Sequence, residues 1–300
     1  MRQILFLLAS TASLTLATPT NPPHHAVKAT ELLQFPNSTR LENLKILPNG
    51  HIITGSLGST TVYTVDPHAD PPTPNPLVTL PRGTSLFGIT PLSHGLYAIV
   101  SGNASATPHR YVPGSYQIHV ISPLSSGTGE DRILRDSIPI PNYEFVNGLT
   151  TLPKKRDVIL AADSFSGEIL RIDTVTHEIT TAFKSPVLGY GNATEGLLIG
   201  VNGIRVKSGW LYFTNSRLGT FSRVKIDEDG FPVGGKEAEV GVIATLPGYE
   251  DGEHLWDDFD LDERGDAYVT AHPASLVKLA EGGRVLYVNN MSGRIVRVVL

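Results

Sequence analysis

The sequence predicts an all-β fold, a six-bladed β-propeller with an abbreviated last blade, closed by an N-terminal strand. The first observation behind this is a pattern that recurs five times, beginning at Glu42, Phe87, Asn147, Asn202 and Asp257. Each copy has a polar or aromatic first residue, an alternating apolar stretch, a turn and a second apolar stretch, as in Asn202-Gly203-Ile204-Arg205-Val206 followed by Leu211-Tyr212-Phe213. The second observation is the spacing. Successive first residues lie 45, 60, 55 and 55 positions apart, and a period of this size with strand alternation inside it is that of propeller blades. The third is composition: 29 Gly, 22 Pro and only 18% charged residues suit compact β structure with many turns, and no segment of any length has a helical period.

The elements follow in order. Residues 1–17 begin with Arg2, continue through Ile4-Leu5-Phe6-Leu7-Leu8 and end in small residues, the pattern of a secretory signal peptide and too short to span a membrane. Residues 18–30 form a flexible N-terminal segment, rich at first in Pro, Thr and His. A single propeller domain then occupies residues 31–300. Glu31-Leu32-Leu33-Gln34-Phe35 reads as the strand that pairs with the last blade and removes an exposed edge. The five repeats supply two strands each, followed by outer strands at Val62–Val65, Gln117–Val120, Glu168–Ile172, Ser222–Ile226 and Ser275–Leu279, with Pro-rich connectors such as residues 70–76 between them. Residues 284–289 and 294–300 add two strands with no first-residue pattern before them, hence the abbreviated last blade.

A net charge of −5 gives no electrostatic basis for binding nucleic acid or an anionic membrane, and no membrane anchor is expected. With no cysteine, closure and core packing must hold the fold, and thiol catalysis is excluded. Sequons at Asn37, Asn103, Asn192 and Asn290 fit N-glycosylation of a protein in the secretory pathway.

Rotation-related repeats bring equivalent positions to one ring, so Glu42, Asn147, Asn202 and Asp257 are expected to converge. Two carboxylates and two amide oxygens make a ligand set for a hard divalent cation, Ca²⁺ before Mg²⁺ or Mn²⁺. Asn-Gly at 147 and 202 has a second reading as a turn dipeptide, and Asp257-Asp258 as solvated loop charge. Their shared phase favours the ring. The ends of the second strands, Thr54, Asp163, Asn215 and His272, should surround it at the same end. His272 has an alternative reading as a packed strand-end side chain. Phe87 stands where the other copies are polar and, with Trp256, Phe259 and Phe213, implies a partly apolar mouth. No G-x-S-x-G elbow or phosphate-cradling glycine loop is present.

Glu42-Asn43-Leu44 with Asn49-Gly50, Asn202-Gly203-Ile204 with Leu211 to Ser216, and residues 257–273 resemble the SMP-30/gluconolactonase/LRE-like propellers, in particular a secreted fungal branch. The resemblance covers most of the chain from about Glu31. It implies a divalent cation held by Glu42, Asn147, Asn202 and Asp257, and in lactonases of the family the base would be Asp257. It implies two functions of different class. One is a hetero-Diels-Alderase of secondary metabolism, which dehydrates a benzylic alcohol to a quinone methide and guides its [4+2] cycloaddition, as in tropolone sesquiterpenoid-type pathways. Asp163, His272 or the ring including Asp257 would supply acid or base, and Phe87, Asn215 and Thr54 would line a pocket for a small lipophilic substrate. The other is a metal-dependent lactonase or ester hydrolase. A non-catalytic binding propeller is the third reading; for the cation itself, a structural role or absence is the alternative to a catalytic one.

Overall fold

The computed structural model describes residues 28–36, 39–106, 109–124, 133–194, 196–246, 248–249, 255–271, 275–278, 285–289 and 294–299. The described residues open with β1 (Lys28–Gln34). A first antiparallel sheet then contains β2 (Arg40–Ile46), β3 (Ile52–Leu57), β4 (Ser59–Val65) and β5 (Pro74–Thr79) in sequence order. The second sheet starts with β6 (Ser85–Pro91) and β7 (Tyr97–Gly102), is interrupted by the short hairpin β8 (Ala104–Ala106) and β9 (His109–Tyr111), and resumes with β10 (Tyr116–Ile121) and β11 (Leu134–Ile140). The third is β12 (Val146–Thr151), β13 (Val158–Asp163), β14 (Glu168–Asp173) and β15 (Ile179–Lys184). The fourth is β16 (Val201–Lys207), β17 (Trp210–Asn215), β18 (Thr220–Lys225) and β19 (Val240–Thr245). A fifth sheet has three described strands, β20 (Trp256–Leu261), β21 (Ala267–Ala271) and β22 (Ser275–Lys278). Finally β23 (Val285–Asn289) pairs with β24 (Arg294–Val299), which pairs in turn with β1, so the first described strand and the last share a sheet.

The first strands of the sheets are neighbours in order. β2 lies beside β6, β6 beside β12, β12 beside β16 and β16 beside β20, while β2 also touches β23. The core fills the spaces between successive sheets. Ile53, Val62 and Val78 of the first sheet meet Leu86, Ile89 and Ile99 of the second, and Val158 and Leu160 of the third meet Ile204, Leu211 and Phe213 of the fourth. Second strands such as β7 and β13 are buried along their whole length, which is why they read as near-continuous apolar runs. Among the described residues the complete helical elements are 3-10 turns, and no helix is long and apolar enough to cross a membrane.

The sequence reading missed the fourth strands β5, β11, β15 and β19, and part of the expected Pro-rich connector is β5. These strands lack the pattern because little of them is buried. β5 buries only Val78, and no residue of β19 is fully buried. Pro74 and Pro76 are tolerated in β5 because an edge strand has donors to spare.

One buried polar group gives the fold a pH dependence. His119 on β10 is fully buried, with Nε2 2.8 Å from Ser101 Oγ and Nδ1 2.8 Å from Ser137 Oγ. Burial pushes its pKa down to about 4. The unfolded chain, with an ordinary His value near 6.5, takes up a proton that the folded imidazole refuses. Stability is therefore expected to be intact above pH ~6.5 and to decline as pH falls toward 4, by about 3 kcal/mol at most, then to level off. His119→Asn should flatten that part of the curve. Urea midpoints of both proteins between pH 7 and 4 check this, and equal slopes would rule it out.

Candidate active site

The five repeat-initiating residues share one local geometry. In each sheet the first strand carries one extra residue against the second, between Glu42 and Leu44, Leu86 and Ile89, Val146 and Leu149, Val201 and Ile204, and Trp256 and Phe259. These are β-bulges, which bend a strand and re-aim side chains. The repeats therefore agree in backbone as well as in residue type. The glycine after the first residue is needed for strand approach and not for a turn: a Cβ on Gly148 would overlap the carbonyl oxygen of Asn202, and one on Gly203 would lie 2.8 Å from the Cα of Asp258. The turn-dipeptide reading of Asn147-Gly148 and Asn202-Gly203 is thereby replaced, since both lie within strands.

The bulges bring the polar first residues together. Asn147 Nδ2 donates to Asn202 Oδ1 at 2.8 Å, and Asn202 Nδ2 donates to Asp257 Oδ1 and to Ser216 Oγ, each at 3.0 Å. Both amides are buried and both carboxylates, Glu42 and Asp257, are half-buried. Burial first, and then the negative charge of Asp257, raise the Glu42 carboxyl well above its usual range, although a hydrogen bond from Asn43 at 3.1 Å opposes this. The side chains are held from behind. Ser216 Oγ donates to Trp256 O at 2.6 Å and Thr214 Oγ1 to Asp257 O at 2.6 Å, while Ser164 Oγ donates to Val201 O at 2.6 Å at the equivalent place in the preceding sheet.

The donor set fits a hard cation. Asn147 Oδ1 is buried without a hydrogen-bond partner, and two carboxylates close enough to repel are what an added positive charge would relieve. Asn202 Oδ1 accepts from Asn147 and would join such a set through its second lone pair. Among the described residues no group of three or more His, Cys, Asp and Glu is placed to hold a metal, so the two amide oxygens would be essential to it.

Beside this ring stands an aromatic wall that the sequence reading did not identify. Tyr111, at the end of the β8–β9 hairpin, stacks on Phe145 with ring centroids 4.0 Å apart and planes 26° apart. Phe165 meets both rings edge-on, at 5.5 Å from Tyr111 and 5.2 Å from Phe145. Phe145 is buried, whereas Tyr111 and Phe165 are half-buried and keep part of their surface accessible. The Tyr111 hydroxyl is pushed up by burial and then by the charges of Glu42 and Asp257, so it lies within electrostatic reach of both. The hairpin is pinned by Thr84 Oγ1 and Ser85 Oγ, which donate to Ala104 O at 2.8 and 3.0 Å. Half-buried Leu57 and Leu197 pack against the same cluster. A short insertion between the second and third strands of a single repeat was the available sequence signal for Tyr111. Phe145 and Phe165 flank the first residue Asn147 and the strand-end residue Asp163.

Other expected site residues have structural tasks. Asp163 has no exposed surface. Its Oδ1 accepts from the backbone N–H groups of Phe145, Phe165 and Ser166 at 3.0 to 3.2 Å, and its Oδ2 from Glu144 N–H at 2.8 Å. A carboxylate so enclosed clamps the loop that carries Phe165 and cannot serve as the expected acid. Asn215, also fully buried, donates to Val187 O and Gly189 O and accepts from Leu218 N–H, while Thr54 Oγ1 donates to Asn43 O at 2.8 Å, so both fix backbone and do not line a pocket. Phe87 is 2% exposed and packs edge-on to Phe145 at 5.3 Å, beneath the mouth and not on its surface. His272 lies outside the described residues, as do Asn37, Asn290 and residues 1–17. Asn103 and Asn192 are exposed.

No protein-family model matches the chain. It is 27% identical over 257 residues to a Sarocladium schorii protein named as hetero-Diels-Alderase asR5, which covers 76% of this chain and 59% of that one. It is 24% identical over 267 residues to a Phoma protein also named as a hetero-Diels-Alderase, covering 83% of this chain and 73% of that one. The chain thus spans about six-tenths of the length of the first relative. Among solved structures it is similar to the virginiamycin B lyase of Staphylococcus aureus, with a TM-score of 0.52 and 14% identity over 91% of this chain and 99% of that one. It is also similar to a luciferin-regenerating enzyme, with a TM-score of 0.54 and 13% identity over 86% of this chain and 77% of that one. At these identities the structural likeness speaks to fold alone. In sequence the chain resembles proteins named as hetero-Diels-Alderases, and in fold it is an all-β array of antiparallel sheets like those of propeller enzymes.

Proposed function

We propose that this protein is a hetero-Diels-Alderase acting on a small lipophilic benzylic alcohol. The observation that carries the reading is that Phe145 and Phe165, with Tyr111 stacked on Phe145, flank the same end of β12 and β13 as Asn147, which bonds to Asn202 and through it to Asp257, with Glu42 in electrostatic contact with Asp257. The sequence relatives support it through their printed names. In the proposed reaction the benzylic C–O bond breaks, the leaving hydroxide takes up a proton, and the conjugated hydroxyl of the same ring gives up its own proton. The products are water and a quinone methide, whose C=C–C=O unit then forms one C–C and one C–O bond with an alkene. Asp257 is the acceptor for the hydroxyl proton. The ring would hold a divalent cation through Glu42, Asn147, Asn202 and Asp257, and when bound such an ion supplies attraction for a leaving or carbonyl oxygen. The aromatic wall keeps water from the planar intermediate and orients the cycloaddition.

The reading includes a closed ring of six sheets, the last completed by β1. This is supported by the pairing of β1 with β24 and by electrostatic contact between the first and fifth sheets, with Asp257 acting on Glu42 and Asp260 and Asp258 on Lys45. It also includes entry into the secretory pathway through residues 1–17 and glycosylation at exposed Asn103 and Asn192. A metal-dependent lactonase is the second reading, favoured by the unpartnered Asn147 Oδ1 and the paired carboxylates. The test is incubation of the purified protein with hydroxymethyl-tropolones or hydroxymethylphenols and terpene alkenes, with a lactone panel in parallel under Ca²⁺, Mg²⁺ and Mn²⁺. One stereoisomer of a cycloadduct formed above the background rate is the expected result. Racemic adduct at background rate, with or without lactone hydrolysis, would overturn the proposal.

A further inference from the structure

Among the described residues the β8–β9 hairpin has no counterpart in the other sheets, and it carries one half-buried aromatic residue, Tyr111, within electrostatic reach of Glu42 and Asp257. Tyr111 is anchored on both sides of its strand. Ala104 opposite it is held by Thr84 and Ser85, and Val112 N–H next to it donates to Asn103 O at 2.9 Å. Its ring rests on Phe145, itself fixed because its own N–H donates to Asp163 Oδ1 at 3.0 Å. Phe165 is held to the same carboxylate oxygen at 3.2 Å. One buried carboxylate therefore sets the relative placement of Phe145 and Phe165, and Tyr111 packs against both. Such a rigid group of rings, with two half-buried members that keep some surface accessible, is built to receive another flat ring, because aromatic pairs attract one another beyond the area they bury.

We infer that Tyr111 is the specificity-determining residue of the site. It selects a planar, conjugated ring by contact with its own ring, and its hydroxyl turns the oxygen-bearing edge of that ring toward Glu42 and Asp257. The role goes beyond water exclusion, since it names the feature of the substrate that is read. It rests on the proposed function for the chemistry that follows, but its test reads binding and requires no turnover.

The probe pair is 2-(hydroxymethyl)phenol and its saturated counterpart 2-(hydroxymethyl)cyclohexanol, titrated calorimetrically against the full chain, with melting curves for each variant. The unmutated protein is expected to prefer the aromatic probe by about tenfold, the upper part of the stacking range. Tyr111→Leu should reduce the preference to less than threefold, and Tyr111→Phe should keep it. Should Tyr111→Leu not fold, selective tyrosine labelling of the unmutated protein replaces it, with magnetisation transfer expected from the probe ring to Tyr111. An absent aromatic preference in the unmutated protein, an unchanged one in a folded Tyr111→Leu, or no transfer to Tyr111 would each overturn the inference. If the preference depends on Tyr111 but no cycloadduct forms with any alkene, the inference stands and the assigned reaction fails.

Discussion

Asp257→Asn is expected to lower the rate of the proposed reaction by about 10²- to 10³-fold, the scale of losing one preorganised polar group at a reacting centre. The same change should not weaken the metal-free fold. Asp257 raises the Glu42 carboxyl across the ring, so the two acids oppose one another when no cation lies between them. An amide at 257 removes one charge of that pair and can still bond to Asn202, whose Nδ2 now donates to Asp257 Oδ1 at 3.0 Å. The metal-free melting temperature is therefore expected to stay the same or rise by about 2 °C, as ~1 kcal/mol does in a domain of this size. Any rise on adding Ca²⁺ should be smaller than in the unmutated protein, because one anionic ligand is gone. Loss of function with unchanged or improved stability is the signature of a site held under electrostatic strain. Melting curves with and without Ca²⁺, beside rates for the same preparation, decide the matter. A rate within threefold of the unmutated protein would exclude Asp257 from the chemistry, and a large fall in metal-free stability would mean that it is structural.

Glu42, Asn147, Asn202 and Asp257 were legible in the sequence because repetition places them in phase, and phase survives even where each residue alone is ambiguous. Asn147-Gly148 illustrates this, since the dipeptide has the composition of a turn and lies in a strand bulge. What distinguishes the two is the neighbouring strand over Gly148, and that long-range contact leaves no local trace. The outer strands were illegible for the opposite reason. β19 faces solvent with Val242 and Ile243, so no alternation of buried and exposed positions is imposed on it. Asp163 and Asn215 show how position at the correct end of a strand differs from function there. Polar residues at strand ends serve the backbone of the following loop as readily as a ligand, and only the count of donors around Asp163 separates the two. Tyr111 was missed because it belongs to an insertion, which a search for repeats treats as noise.

Arg205→Met is expected to cost about 3–5 kcal/mol of folding stability. Arg205 lies three residues beyond Asn202 on β16 and is 8% exposed, with Nη2 2.8 Å from Asp258 Oδ2 and Nε 3.6 Å from Asp260 Oδ1. Its guanidinium also sits 5.6 Å from the centre of the Phe259 ring. Asp258 is 3% exposed, so methionine in place of Arg205 would leave a desolvated carboxylate facing an apolar side chain. The loss thus comes from the charge left behind more than from the pair removed. Arg205→Met combined with Asp258→Asn should accordingly recover much of the loss, whereas two independent defects would add. Lys45 supplies a second readout. Burial first, and then the charge of Arg205, lower its pKa to about 8, so removing Arg205 should raise it and strengthen the attraction of Lys45 to Asp258 and Asp260. That gain can offset only part of the loss, because Lys45 presents a point charge where Arg205 offers a planar fork. Guanidinium midpoints of the two single variants and the double variant measure the coupling. If the double variant is no more stable than Arg205→Met alone, the buried charge is not the cause, and the contact of Arg205 with Phe259 must carry the energy instead.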